Sequence, residues 1–172
     1  MSQSLPQNLS DAEYRFITVE YEPIWRFVVK HYATFNYDYD MATPVTVLGC
    51  LSLPIGIELS QYGYNVHCLL NSHEEVSWAR RACQAHAGEK VRLSNLPWLY
   101  HTDRAQVCIV LDILDDLDDW ATKKFLDMLT TAHTQVITTV NKNYDKKRIE
   151  KYIQSEILKE EYVILTLTRP GV

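Results

Sequence analysis

The residues best placed to do chemistry lie in the turn Gly49-Cys50-Leu51-Ser52-Leu53-Pro54, between the short apolar run Val45 to Leu48 and a helical pattern. A glycine at a strand end permits a sharp backbone turn. Pro54 suits a first helical turn, and a helix N-terminus offers free N–H groups and a positive dipole end to a ligand. The plainer reading is a tight turn whose glycine serves backbone geometry alone. Asp112 ends the apolar run 106–112, at the edge where a reacting group would sit. It can orient a substrate amine or act as a base; otherwise it caps the turn that follows. Tyr37, Tyr39 and Trp98 fall in loop-like segments, where function concentrates, and are candidates to roof a substrate pocket. Tyr14 and Tyr21 recur at helical spacing and fit packing better.

Other chemistries find less support. Asp112, Asp115, Asp116, Asp118 and Asp119 offer carboxylate oxygens that hard cations favour. The segment has neither the sharp-turn glycine nor the closing glutamate of a calcium loop, so an acidic helix start opposing the dipole is the better reading. His67, His73, His86 and His133 form no metal-ligand spacing, and no metal site is expected. Cys50, Cys68, Cys83 and Cys108 are too far apart for a C-x-x-C site. Cys68, Cys83 and Cys108 read as buried thiols. Cys50 stands near a helix N-terminus, which can lower a thiol pKa, but has no basic neighbour in sequence. No G-x-S-x-G nucleophile turn is present.

Positioning these residues is the work of one domain. The 172 residues suffice for a single real core, and 47% hydrophobic with 23% charged residues is ordinary globular usage. A formal charge of -5 gives no basic footprint for nucleic acid. No apolar run reaches membrane-spanning length, and the polar start lacks a leader's apolar stretch. The expected setting is cytoplasmic, without a membrane partner. Ser10 and Glu13 form a capping box for an N-terminal helix kinked or divided at Pro23. Strands are expected at 45–49, 65–70, 90–94, 106–112, 135–140 and 162–168. Helices are expected near 54–62, 73–87, 117–132 and 145–159, the last with Ile149, Ile153 and Ile157 as its buried stripe. Strands alternating with helices imply an α/β fold with a parallel sheet.

Between Val45 and Arg80 the residues resemble the class I S-adenosylmethionine-dependent methyltransferases. Gly49-Cys50 matches the Gly-Cys start of that family's turn. Leu59-x-x-x-Gly63 running into Val66 looks like its helix exit and second strand. Ser72, Glu74 and Ala79-Arg80 look like the helix after its ribose-binding position. Departures are specific: Leu51 and Leu53 stand where the second and third glycines belong, and the acid expected to end the second strand falls at Leu70 or Asn71. Leu53-Pro54 also resembles the Gly-Pro-Leu-Pro turn of nicotianamine synthases, which use the same cofactor.

The resemblance implies a three-layer, Rossmann-like, mostly parallel sheet of about six strands flanked by helices, over 45–172, with 1–44 an N-terminal helical extension of the same domain. It implies S-adenosylmethionine as cofactor, with Gly49, Cys50, Leu51 and Ser52 holding the methionine portion. Leu70 and Asn71 would meet the ribose, Ser94 and Asn95 the adenine, and Asp112 the reacting side, with a small molecule as substrate. The alternative is a degenerate, non-catalytic scaffold acting through protein partners or self-association. The family's sheet ends in a hairpin, whereas only one strand is expected here after 145–159. That strand should pair in parallel with the fifth, or leave an abbreviated sheet whose Val163, Leu165 and Leu167 face a second copy covers, making a homodimer.

Overall fold

The computed structural model describes residues 45–49, 52–61, 63–70, 72–85, 91–95, 107–111, 113–133, 135–158 and 162–171. In order they form β1 (Val45–Leu48), α1 (Leu53–Gln61), β2 (Val66–Leu70), α2 (His73–Ala85), β3 (Val91–Asn95) and β4 (Val107–Val110). A 3-10 turn, Leu114–Asp116, precedes α3 (Asp119–Ala132) and β5 (Gln135–Asn141). A second 3-10 stretch, Lys146–Tyr152, runs directly into β6 (Ile153–Leu158), and β7 (Tyr162–Leu167) follows. The expected N-terminal helix, its kink and the segment around Trp98 lie outside the described residues.

The seven strands make one sheet ordered β3-β2-β1-β4-β5-β7-β6. The first five run parallel, while β7 is antiparallel to both β5 and β6. β1, β2 and β4 are buried at every position, because a parallel sheet is covered on both faces and its strands read as continuous apolar runs. One core packs Leu53, Ile55, Leu59, Trp78 and Ala79 of α1 and α2 against Val45, Val47 and Ile109. The other packs Phe125, Leu126 and Leu129 of α3, with Ile149 and Tyr152, against Leu48, Val110 and Leu165. The result is three layers, with seven strands where about six were expected.

The helix expected over 145–159 is replaced by the 3-10 stretch and β6. Ile149 is fully buried, as its place in the pattern required. Ile153 and Ile157, however, do not share a helix face. A register irregularity between Ile153 and Ser155 turns Ile153 toward the α3 side and Ile157 toward the α1 side, as a bulge does when it inserts a residue into one strand. The final strand therefore pairs antiparallel to β5, with Thr138 opposite Leu165, and not in parallel. The sheet is not abbreviated: β6 forms its edge, and Val163, Leu165 and Leu167 sit in the α3-side core, unavailable to a second copy. No helix among the described residues is long and apolar enough to cross a membrane.

Candidate functional site

The chain reverses its direction across the sheet at β1. After β1 it moves outward through β2 to β3, then returns to lay β4 on the other side of β1. α1 covers one face and α3 the other, so the connections after β1 and β4 diverge. In open α/β sheets ligands bind in this crevice, outside the carboxyl ends of the strands.

Gly49 forms the β1 wall. Its φ of 84° is a conformation that only glycine adopts without cost. Its N–H donates to the Leu69 carbonyl at 3.0 Å, and its carbonyl accepts from the Ser52 N–H at 3.2 Å, a turn that delivers the chain into α1. Ser52 is fully buried, and its Oγ accepts a hydrogen bond from the Leu111 N–H at 3.2 Å. The hydroxyl expected to touch a cofactor thus ties the β1 turn to the end of β4 and sets the spacing of the crevice walls. Sequence gave no signal for this contact, since 59 residues separate the partners.

α1 lies unusually close to the sheet. A Cβ on Gly56 would fall 3.0 Å from Val66 Cγ1 and 3.3 Å from Val47 Cγ2. A glycine inside a helical pattern signals such an approach, although its partners cannot be named from sequence.

At the next strand ends the candidates separate. Leu70 is the last residue of β2, 0% exposed, and belongs to the α1-side core. Asn95 is its register partner at the end of β3 and is exposed. Ser94 is half-buried, with its Oγ 2.6 Å from His67 Nε2. Ser72 opens α2 and accepts from the Glu75 N–H at 3.2 Å. Cys50, Leu51, Asn71, Asp112, Tyr37, Tyr39 and Trp98 lie outside the described residues.

The aspartates around the start of α3 have structural jobs. Both Asp115 oxygens accept from the Asn141 N–H at 3.2 Å, fastening the turn after β4 to the end of β5. Asp118 caps α3 by accepting from the Ala121 N–H at 2.7 Å. Asp119 accepts from Arg148 Nε at 2.6 Å, while Arg148 Nη2 donates to the Leu117 carbonyl at 2.9 Å. No group of three or more metal-binding side chains occurs among the described residues. Burial pushes the Cys68 and Cys108 thiols far up and that of Cys83 to about 11, so these three stay protonated and inert. The opposite edge of the sheet carries a separate groove of about 490 Å³ beside Thr131, His133, Gln154 and Arg169.

No protein-family model and no curated protein matches the chain. Solved structures do. The magnesium protoporphyrin IX methyltransferase ChlM of Synechocystis PCC 6803, with bound SAH, superposes with a TM-score of 0.74 at 14% identity, over 97% of this chain and 91% of that one. MtNAS in complex with MTA and tNA gives 0.68 at 16% identity, over 94% and 66%. The bifunctional kinase-methyltransferase WbdD gives 0.69 at 11% identity, over 86% of this chain but only 39% of that one. The fold is that of class I methyltransferases. The terminal β6–β7 hairpin with its reversed strand is present in full. The departure lies at the β2 corner, where Leu70 has joined the core.

Proposed function

We propose that this methyltransferase-like protein binds S-adenosylmethionine in the crevice between the ends of β1 and β4 and transfers a group from it to a small molecule. The observation that carries the reading is the left-handed Gly49 turn leading into α1 at the point where the strand order reverses. A carboxylate is favoured at a helix N-terminus, so the α1 start suits the amino-acid end of the ligand. Asn95, exposed at the end of β3, offers a donor and an acceptor to the adenine edge. The Ser52–Leu111 bond holds the two walls in register. Asp112, two residues beyond the last residue of β4 in sequence, is assigned the acceptor side, orienting an amine or taking its proton.

S-adenosylmethionine supplies a carbon activated by an adjacent sulfonium. The protein's contribution is then chiefly alignment of the acceptor with that carbon, and effective molarity from positioning accounts for much of the barrier reduction in such transfers. Support also comes from structural neighbours solved with SAM and SAH. The reading takes the protein to be cytoplasmic. Calorimetric titration with S-adenosylmethionine and S-adenosylhomocysteine tests it: failure of both to bind at millimolar concentration ends it.

One observation favours a second reading. The fully buried Leu70 fills with hydrocarbon a corner that would otherwise offer a polar group to a nucleotide. A scaffold that has lost its cofactor would instead form a stable complex with a partner or a second copy. Sizing with light scattering distinguishes the two, since a strict monomer that binds the nucleotide tightly fits only the first.

A further inference from the structure

The groove of about 490 Å³ lies where α3 closes, β6 starts and β7 leaves the sheet, at the end of the sheet away from the crevice. Its walls differ in polarity. Thr130 and Thr131 stand on the α3 wall. Their hydroxyls donate to the Leu126 carbonyl at 2.7 Å and to the Asp127 carbonyl at 2.6 Å. A hydroxyl has one hydrogen, so both present acceptor lone pairs alone. The last carbonyls of a helix lack intrahelical donors, and the dipole there favours a cation.

The other wall supplies donors. Gln154, Thr168 and the exposed Arg169 line it. The irregularity in the β6–β7 pairing falls at Gln154, between the paired Ile153 and Ser155, and a bulge re-aims the side chain it carries. Gln135 Nε2 donates to Gln154 Oε1 at 3.3 Å, so what Gln154 presents is its amide hydrogens. The Thr168 N–H donates to the Tyr152 carbonyl at 2.8 Å, tying the β7 exit that bears Arg169 to the start of β6. A guanidinium fork matches a carboxylate.

We propose that this groove is a second small-molecule site and takes a free amino acid, with the ammonium against the end of α3 and the carboxylate on Arg169 and Gln154. A simple anion would meet the negative end of α3, and a simple cation would meet Arg169. A zwitterion satisfies both walls. The volume falls within the range of about 300–1,000 Å³ usual for small-molecule sites. The site does not rest on the methyltransferase reading, because no residue of the crevice lines it.

The test is saturation-transfer NMR on the full chain with a panel of the L-α-amino acids other than methionine. The best binder is then compared with its N-acetyl and carboxamide derivatives, which lack the ammonium and the carboxylate charge respectively. At least one amino acid is expected to bind at millimolar concentration, and each derivative to bind about fivefold or more weakly. Arg169→Gln, an exposed change that should leave Tm unaltered, is expected to weaken the amino acid by a similar factor, and Arg169→Lys by less. Failure of the whole panel at about 20 mM overturns the proposal. So does an N-acetyl derivative that binds equally well, which would make the site a plain carboxylate site, or binding that Arg169→Gln leaves unchanged, which would place the ligand elsewhere.

Discussion

Gly56→Ala is expected to destabilise the protein, although the same change on an exposed helix face would stabilise it. Ala gains about 1 kcal/mol over Gly in a helix interior. Against that, the added methyl lies 3.0 Å from Val66 Cγ1 and 3.3 Å from Val47 Cγ2. Both valines are essentially buried, at 2% and 0% exposure, and both are β-branched and stiff at χ1. Neither side chain has a free end to swing aside, so α1 must rise from the sheet or the strands must shift. Overpacking of this kind costs about 1–3 kcal/mol, leaving a net loss of about 1 kcal/mol near the middle of the range. For a chain of this length that lowers Tm by about 2–4 °C. Val66→Ala alone removes buried methyls and destabilises through the cavity it leaves. In the double variant the new methyl occupies the vacated volume, so the two losses should fall short of additivity by about 1 kcal/mol, within the range for residues in contact. Circular dichroism melts and urea titrations of the two single variants and the double variant measure each term. A higher Tm for Gly56→Ala, or strict additivity with Val66→Ala, would refute the close-approach argument.

Ser52→Ala removes the acceptor of the Leu111 N–H; it should cost about 1 kcal/mol and raise the dissociation constant for S-adenosylhomocysteine severalfold. A lowered Tm with unchanged affinity would make the bond structural only. Asp118→Ala deletes the α3 cap and should lose about 1 kcal/mol, measured by urea denaturation, with Asp118→Asn retaining most of it. Tyr152 donates its hydroxyl to Asp127, and burial, with that carboxylate second, pushes the phenol up to about 12 from 10. The unfolded phenol ionises first, so the stabilisation is complete below pH 10 and is lost as the pH climbs through about 12. Denaturation midpoints across alkaline pH should therefore fall more steeply for the wild type than for Tyr152→Phe.

The local alternation of strand and helix was legible wherever two periodicities disagreed. From β1 to α2 each apolar run is bounded by Gly, Asn or Ser, and the elements fall within a residue or two of their sequence positions. The 145–159 segment failed for a definite reason. Ile149, Ile153 and Ile157 are spaced by four, close to the helical period of 3.6, but four is also twice the strand period. Apolar spacing alone therefore could not separate helix from strand there. Only the pairing with β7 decides it, and a bulge then sends Ile153 and Ile157 to opposite faces, which no regular periodicity anticipates. One missed strand had a large topological consequence, since β6 allows β7 to enter antiparallel between β5 and the edge.

The candidate site divides along similar lines. Gly49 was legible because a left-handed turn requires its residue type. Ser52 was expected at the cofactor, whereas its observed partner, Leu111, is brought to it only by the β1–β4 pairing. Ser94 likewise spends its hydroxyl on His67 across the β2–β3 pair, which moves the exposed polar function at that strand end to Asn95. Leu70 is the sharpest case. Its residue type already declared that no acid ends β2, and its complete burial adds that the position contributes to the core. Placing a carboxylate there would put a charge in the α1-side core, where desolvation opposes it. Among the described residues, the proposed site at this edge offers the backbone turn at β1 and the amide at β3, with the end of β2 forming the wall between them.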